Sequence, residues 1–356
     1  QSRFKPSYLL VQIIHLKALT KIKRKPLIAK IQSQKSLTIY YRISSSARAH
    51  CRDRGVMTQT VKEASIEPVK DYFQSLQEQI CATLEALEID EKFSVENIST
   101  PGGGLSKPRV LSDGEHIEKA AVMFTHSIGD SLPPAATERN PKLAENPFQA
   151  AAISLIVHPK NPFVPMTHMN LRFFIVFAEE PSWHFGGGYD LTPYYPYEQD
   201  IVHWHSTASQ AAGKYYRRFK DQCDDYFYLP HRGEARGVGG LFFDDWAEEG
   251  FKKAYDLTRR IGDSFLNAYQ PIFEKRKNET YTEKQKDFQL YRRGRYAEFN
   301  LAIDRGTKYG LQSGRRIESV LASLPPLAKW SYNYPVNPDS DESKLTDYYL
   351  IRRDWI

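Results

Sequence analysis

From residue 66 onward, apolar side chains recur at three- and four-residue steps, so that Val69, Tyr72, Phe73, Leu76, Ile80, Leu84 and Leu87 share one face. That spacing predicts an amphipathic helix, with Ser65 as its cap. A Gly-rich turn at 102–104 follows, and the period then shortens to two. Strands are predicted at 109–111, 120–127, 150–158 and 168–178, and their succession without intervening helices predicts an antiparallel sheet. Helical spacing returns over 201–228 and 246–278. Residues 296–303 alternate again, with Ala297, Phe299, Leu301 and Ile303 opposite Tyr296, Glu298 and Asn300, which predicts a last strand. No internal repeat or low-complexity linker breaks the series, so residues 57–356 are expected to form one large α+β domain.

The composition supports a packed core, since 41% of the 356 residues are hydrophobic and 13% aromatic. No apolar run approaches the ~20 residues a helix needs to span a bilayer, so no transmembrane segment is expected. Cys51, Cys81 and Cys223 are too few and too scattered for a disulfide framework, a CxxC zinc site or a four-cysteine iron–sulfur cluster. A reducing compartment fits. The net charge of +6 is uneven: residues 1–56 carry 13 Lys and Arg against the single acid Asp53, leaving 36 basic and 42 acidic residues in the remainder. A body with that balance argues against nucleic-acid binding. The first 56 residues are read as a basic extension outside the fold. Their composition fits a mitochondrial transit peptide, and also upstream sequence ahead of a natural start at Met57. The expected location is the cytoplasm, or the mitochondrion if the extension is a transit peptide.

Four stretches carry candidate chemistry. A strand after Pro165 puts His168, Asn170 and Arg172 on one face and Met169, Leu171 and Phe173 on the other. A titratable ring, an amide and a guanidinium on one surface suit a carboxylate-bearing ligand, although an edge strand with one wet face gives the same alternation. Further on, Gly186, Gly187 and Gly188 precede Asp190 and a run of aromatics. Three glycines permit close backbone approach, and without a following Gly-Lys-Ser/Thr they do not form a phosphate cradle; a hairpin turn with Asp190 in a local hydrogen bond is the plainer alternative. His203 and His205 diverge by ~200° on a helix, so they cannot chelate together. Convergence of His158, His168, His205 and His231 on a metal is the lesser alternative. Last come Arg292, Arg293 and Arg295, then Arg305, Arg315 and Arg316, each group beside a glycine. Such clusters can grip carboxylates bidentately, with solvated surface as the usual explanation for most of them.

The runs His-Phe-Gly-Gly-Gly-Tyr-Asp-Leu-Thr-Pro (184–193), Gly-Val-Gly-Gly-Leu-Phe-Phe-Asp-Asp (237–245), Arg-Arg-Gly-Arg-Tyr-Ala-Glu-Phe-Asn-Leu (292–301) and Asp-Arg-Gly-Thr (304–307) resemble, in content and order, the oxygen-dependent coproporphyrinogen III oxidase family. The resemblance runs from residue 66 to the C-terminus and is closer to bacterial members, which supports Met57 as the start. His184 departs from it, standing where the family usually has a second tryptophan. The resemblance implies a large flat antiparallel sheet covered by helices on both faces, and a homodimer with its interface in 296–331. It implies oxidative decarboxylation of two propionates of coproporphyrinogen III to vinyl groups, giving protoporphyrinogen IX for haem, with molecular oxygen as co-substrate and no organic cofactor. It also implies roles: His168 as proton donor, Asp190 against the pyrrole N–H groups, and Ser154, Asn170, Leu171, Arg172, Gly314, Arg315 and Arg316 as substrate contacts. His158, His168, His205 and His231 match proposed metal ligands of bacterial members; a divalent metal is admitted but not required.

Elementary chemistry agrees with these roles. A porphyrinogen bearing four propionates is a tetra-anion, so guanidinium partners such as Arg172 and Arg315 must offset carboxylate desolvation. Its apolar ring needs aromatic walls, for which Tyr194, Tyr195 and Tyr197 are candidates. Reduced pyrroles are electron-rich enough to reduce oxygen themselves. The expected sequence is that Asp190 holds or deprotonates the pyrrole N–H, oxygen adds to the ring, and the peroxide takes the propionate Cβ hydrogen as carbon dioxide leaves. A two-histidine, one-carboxylate iron site using Asp190 is the rival arrangement.

Overall fold

The helix predicted from residue 66 is present as α1 (Glu67–Leu87), in a computed structural model whose described residues are 64–131, 145–312 and 314–356. The extension expected at 1–56 therefore lies outside the described residues. The cap of α1 is Ile66, without a side-chain bond, and not Ser65. Pro68 in the first turn, where no intrahelical N–H is needed, starts the helix instead. There follow β1 (Ser94–Val95), β2 (Ile98–Thr100), β3 (Gly104–Ser112), β4 (Ile117–Gly129), β5 (Phe148–Pro159), β6 (Met166–Val176) and β7 (Ser182–Thr192). Helices α2 (Glu198–Ala212) and α3 (Tyr216–Tyr226) lead to a small ribbon of β8 (Tyr228–Leu229) and β9 (Glu234–Ala235), and then to β10 (Gly239–Trp246). Helices α4 (Phe251–Arg276), α5 (Glu283–Glu298), α6 (Arg305–Gln312), α7 (Ile317–Val320) and α8 (Asp341–Lys344) complete the chain.

The main sheet is antiparallel throughout, in the order β1-β3-β4-β5-β6-β7-β10, with β2 also paired to β3. Three expectations need correction. Residues 182–192 form a full strand, although the glycines at 186–188 allow a hairpin turn, and 239–246, for which no strand is predicted, form another. The predicted helix over 201–228 breaks at 213–215, and that over 246–278 begins only at Phe251, because Trp246 ends a strand. Residues 296–303 are not a strand: they finish α5 and continue as one π-helical turn, Phe299–Ile303. Their burial follows the helix, with Arg292, Arg293, Tyr296, Ala297 and Asn300 inside, and an eight-residue alternation is too short to tell the two apart.

One face of the sheet is fully covered. Met169, Leu171 and Phe173 of β6, Tyr189 and Leu191 of β7, and Leu241 and Phe243 of β10 all join one buried cluster with α1, α2, α3 and α4. Trp204 of α2 packs its edge on Tyr189 at 4.9 Å, and Phe219 of α3 stacks on Phe243 at 5.0 Å. Among the described residues the second face is covered at one end, where Phe288 and Tyr296 of α5 and Leu345 and Leu350 near the C-terminus bury Ala121, Ile156 and Met166, and over β10, where Phe227 and Phe299 bury Phe242. Beyond that cap the face is floored by small residues.

Two of the three glycines in β7 are obligatory for this sheet. Gly187 and Gly188 have φ of +139° and +143°, and an added Cβ would stand 2.0 Å from the carbonyl oxygens of Asn170 and Leu241. Neither oxygen can retreat, since each belongs to a neighbouring strand. Gly187→Ala is therefore expected to cost about 3 kcal/mol or more, measured as a drop in the urea midpoint, with soluble aggregates as the alternative readout. A midpoint within 0.5 kcal/mol of the parent, about the size of an ordinary surface change, would disprove the fit.

Candidate active site

Antiparallel register carries the His168, Asn170, Arg172 row across four strands. His168 lies between Ile156 of β5 and Asp190 of β7, Asn170 between Ser154 and Gly188, and Arg172 between Ala152 and Gly186; Asp190 is in turn opposite Gly240 of β10. Cross-strand partners share a face, so alanines, a serine and glycines form a flat floor between the larger polar groups. At about 3.4 Å per residue, the run from His168 to Phe174 makes a groove about 20 Å long. Gly186 leaves the room that the Arg172 guanidinium fills, for a Cβ there would stand 2.8 Å from its Nη2.

The capped end of the groove holds a buried ionic cluster. Arg236 donates to Asp190 through Nη2 at 2.7 and 2.8 Å and through Nε at 3.2 Å, and both side chains are almost wholly buried. His168 Nδ1 donates to Asp190 Oδ1 at 3.0 Å, and among the described residues nothing hydrogen-bonds its Nε2. Burial pushes the Asp190 carboxyl upward, but the adjacent Arg236 charge and the His168 bond outweigh it and hold the group below the usual carboxylate range. The guanidinium is boxed by rings, 4.0 Å from the centre of Phe227, 4.5 Å from Phe299 and 5.0 Å from Tyr296. Sequence reasoning missed Arg236 as a site residue.

Along the groove's side, Asp244 ties two more guanidinium groups, accepting from Arg172 through Oδ1 and from Arg305 through Oδ2 at 2.9 Å. Arg172 lies over Phe242, on which Tyr226 stacks at 4.5 Å, and the Phe227 ring edge meets His168 at 5.9 Å. At the far end Arg315 donates to Ser127 at 3.1 Å and covers Tyr309, which in turn meets Phe174. The aromatic side chains beside the groove, Phe227, Phe242 and Phe299 with the partly exposed Tyr226, form a buried cluster of their own. Tyr194 and Tyr195 instead belong to the buried cluster under α5, and Tyr197 lies against Arg276 and donates to Glu279.

Residues 68–355 match the sequence model of the family described as coproporphyrinogen III oxidase. Curated proteins named oxygen-dependent coproporphyrinogen-III oxidase from the Dugway, RSA 331 and RSA 493 strains of Coxiella burnetii are each 48% identical over 301 residues, covering 83% of this chain and 97% of theirs. The chain belongs to the coproporphyrinogen III oxidase family.

Of the substrate contacts implied by the family resemblance, Ser154, Asn170, Arg172 and Arg315 face the groove. Leu171 does not: its side chain is in the core beneath the sheet. Arg316 points away too, paired with Glu96 and Glu318, while Gly314 is an exposed residue at φ +67° and its neighbour Ser313 lies outside the described residues. Arg292, Arg293 and Arg295, read as solvated surface, are buried in ion pairs with Glu118 and Glu234. His184 stacks on Phe174 at 5.3 Å, so a flat ring is kept where the family usually has tryptophan.

The histidines assigned to a metal in bacterial members of the family do not meet. His158 is buried with Nε2 donating to Ser323 O, His231 pairs with Glu298, and His168 is committed to Asp190. Both His205 nitrogens are occupied, Nε2 donating to Val238 O at 3.0 Å and Nδ1 accepting from the Tyr216 hydroxyl at 2.8 Å. Among the described residues no three His, Cys, Asp or Glu side chains gather as ligands, so this arrangement does not fit a shared centre and no step is routed through one. Burial pushes His205 down to about 3. An unfolded histidine takes its proton near 6.5, so between pH 6.5 and 3 the unfolded state binds more protons and stability falls with pH. His205→Gln, which keeps a donor for Val238, should shrink the stability lost between pH 7 and pH 4.5 by about 2 kcal/mol in urea titrations. An identical loss in both proteins would contradict the neutral, buried assignment.

Proposed function

We propose that this chain is an oxygen-dependent coproporphyrinogen III oxidase that converts two propionates of its substrate to vinyl groups in haem biosynthesis. The observation that carries the reading is the groove: a flat, side-chain-poor floor with guanidinium groups beside and beyond it, closed at one end by His168 on the Asp190–Arg236 pair. A broad macrocycle with acidic arms matches this shape, its ring over the strip around Ser154 and Asn170 and its carboxylates on Arg172, Arg305 and Arg315. Bidentate guanidinium contacts of this kind offset the desolvation of each acid.

For each arm, one propionate, one oxygen molecule and one proton become a vinyl group, carbon dioxide and hydrogen peroxide. The pyrrole supplies the electron path, the Cβ–H and the C–CO2 bonds break, and the electron pair freed by decarboxylation closes the double bond while oxygen accepts two electrons. His168, with Nδ1–H fixed on Asp190 and no hydrogen bond to Nε2 among the described residues, is the proton carrier. Asp190 is a poor base, because its proton is already lost well below neutral pH and both oxygens are bonded to Arg236 or His168. Its role is to hold a fixed negative charge, orient His168 and accept from a pyrrole N–H. Oxygen is the co-substrate, and the mechanism calls for no organic cofactor.

Residues 57–356 constitute the catalytic domain in this reading, supported by the family match over 68–355. No helix among the described residues is long and apolar enough to cross a membrane. Cys81 and Cys223 are free thiols, which suits the cytoplasm. Exposed Leu301, Leu311, Ile317, Leu327 and Trp330 cluster within 296–331, which supports that stretch as the homodimer interface.

Aerobic and anaerobic turnover by metal-stripped protein tests the reading directly: carbon dioxide and vinyl product should form only in the aerobic sample, and aerobic failure restored by a divalent metal would replace this mechanism. Asp190→Ala should lower kcat by about 10²–10⁴-fold, and near-normal turnover of the folded variant would refute the assignment. Arg172→Ala should raise KM about tenfold or more, the loss of one charge-assisted contact.

A further inference from the structure

Arg236 reaches Asp190 from residues 236–238, an irregular link between β9 and β10. The link borders a cleft of about 340 Å³ whose lining includes Ala235, Gly237, Val238, Leu350 and Trp355, while the Val238 side chain packs into the main core. Three hydrogen bonds hold its backbone. The Arg236 N–H donates to Phe227 O at 2.8 Å, the Val238 N–H donates to Leu191 O at 2.9 Å, and the Val238 carbonyl accepts from His205 Nε2 at 3.0 Å. His205 is set in turn by the Tyr216 hydroxyl and by Trp355, whose ring stacks on it at 6.4 Å and 19°.

The C-terminal tail that delivers Trp355 is tied down along its length. Buried Lys220 donates to Arg353 O at 2.7 Å, Arg352 pairs with Asp221 and Asp225, and Arg217 pairs with Asp354. Trp355 is stacked on Tyr349 at 6.0 Å, with the Arg353 guanidinium 5.3 Å from its centre. Salt bridges on an open surface contribute little to stability, yet these fix one indole against one imidazole.

Resting on the roles given above to Arg236 and Asp190, we propose that Trp355 is a positioning residue: it backs His205, His205 holds the Val238 carbonyl, and that hold seats Arg236 on Asp190. Trp355 thus acts through His205 and not on the substrate. The carboxylate-binding arginines, Arg172, Arg305 and Arg315, depend on none of these contacts.

The test compares full-length Trp355→Ala and Trp355→Phe with the parent, using coproporphyrinogen III under air. Trp355→Ala should lose kcat about five- to tenfold, the size of a coupling carried through packed contacts, with KM within about twofold, while Trp355→Phe retains the stack and most of the rate. Unchanged kcat in Trp355→Ala overturns the proposal, even if its Tm is lower, and so does an equal loss in both variants. If Trp355→Ala does not fold, Trp355→Leu replaces it, with the same ranking below Phe required. Hydrogen exchange at the Arg236 Nε–H, followed by NMR, should also quicken at least about tenfold in the Ala or Leu variant, and unchanged exchange overturns the proposal. That readout needs no turnover, so a parent protein inert toward the substrate would sink the oxidase reading while leaving this one decided.

Discussion

A carboxylate with almost no exposure to solvent sits near the end of β7, one strand in from the sheet edge, and most of the surrounding structure can be understood as what keeps it ionised. Left alone, Asp190 would take up a proton, because charge in a low-dielectric interior costs several kcal/mol. Arg236 prevents this, and three aromatic rings in turn make its own burial tolerable. Breaking either partner leaves the other charge stranded, so the two are fixed as a unit. His168 then inherits a defined tautomer and a single direction.

The floor of the groove is the second constraint. A strand of glycines is a weak strand in isolation, since each residue surrenders the most backbone entropy on folding. Here β7 is stabilised from outside, by β6 and β10 on its edges and by the aromatic layer under Tyr189 and Phe185. In exchange, the upper face loses the side chains that would crowd a wide, flat ligand.

Much of this was legible in the chain. The α1 spacing and the two-residue period of β6 each identify a face directly, because burial of one side imposes the period on the residues. The same logic failed at β7, where tertiary demand for a bare surface overrides strand propensity. It failed again at 296–303, where a short alternation fits two geometries. Arg236 left no local trace, for its partner lies 46 residues earlier and only the sheet brings them together. Arg315 and Arg316 are neighbours in sequence, yet one reaches Ser127 on the sheet and the other a surface carboxylate; adjacent positions in an extended segment point apart.

Asp244 adds directionality. This carboxylate accepts from both Arg172 and Arg305. On the proposed assignment of these arginines to substrate carboxylates, an incoming acid must outbid an internal surrogate, and a ligand with many carboxylates has more chances to do so than one with few. Each turnover destroys one of those carboxylates while the surrogate persists. Under the same assignment the contest would tilt, step by step, from retention of the starting tetra-acid toward expulsion of the di-acid that remains.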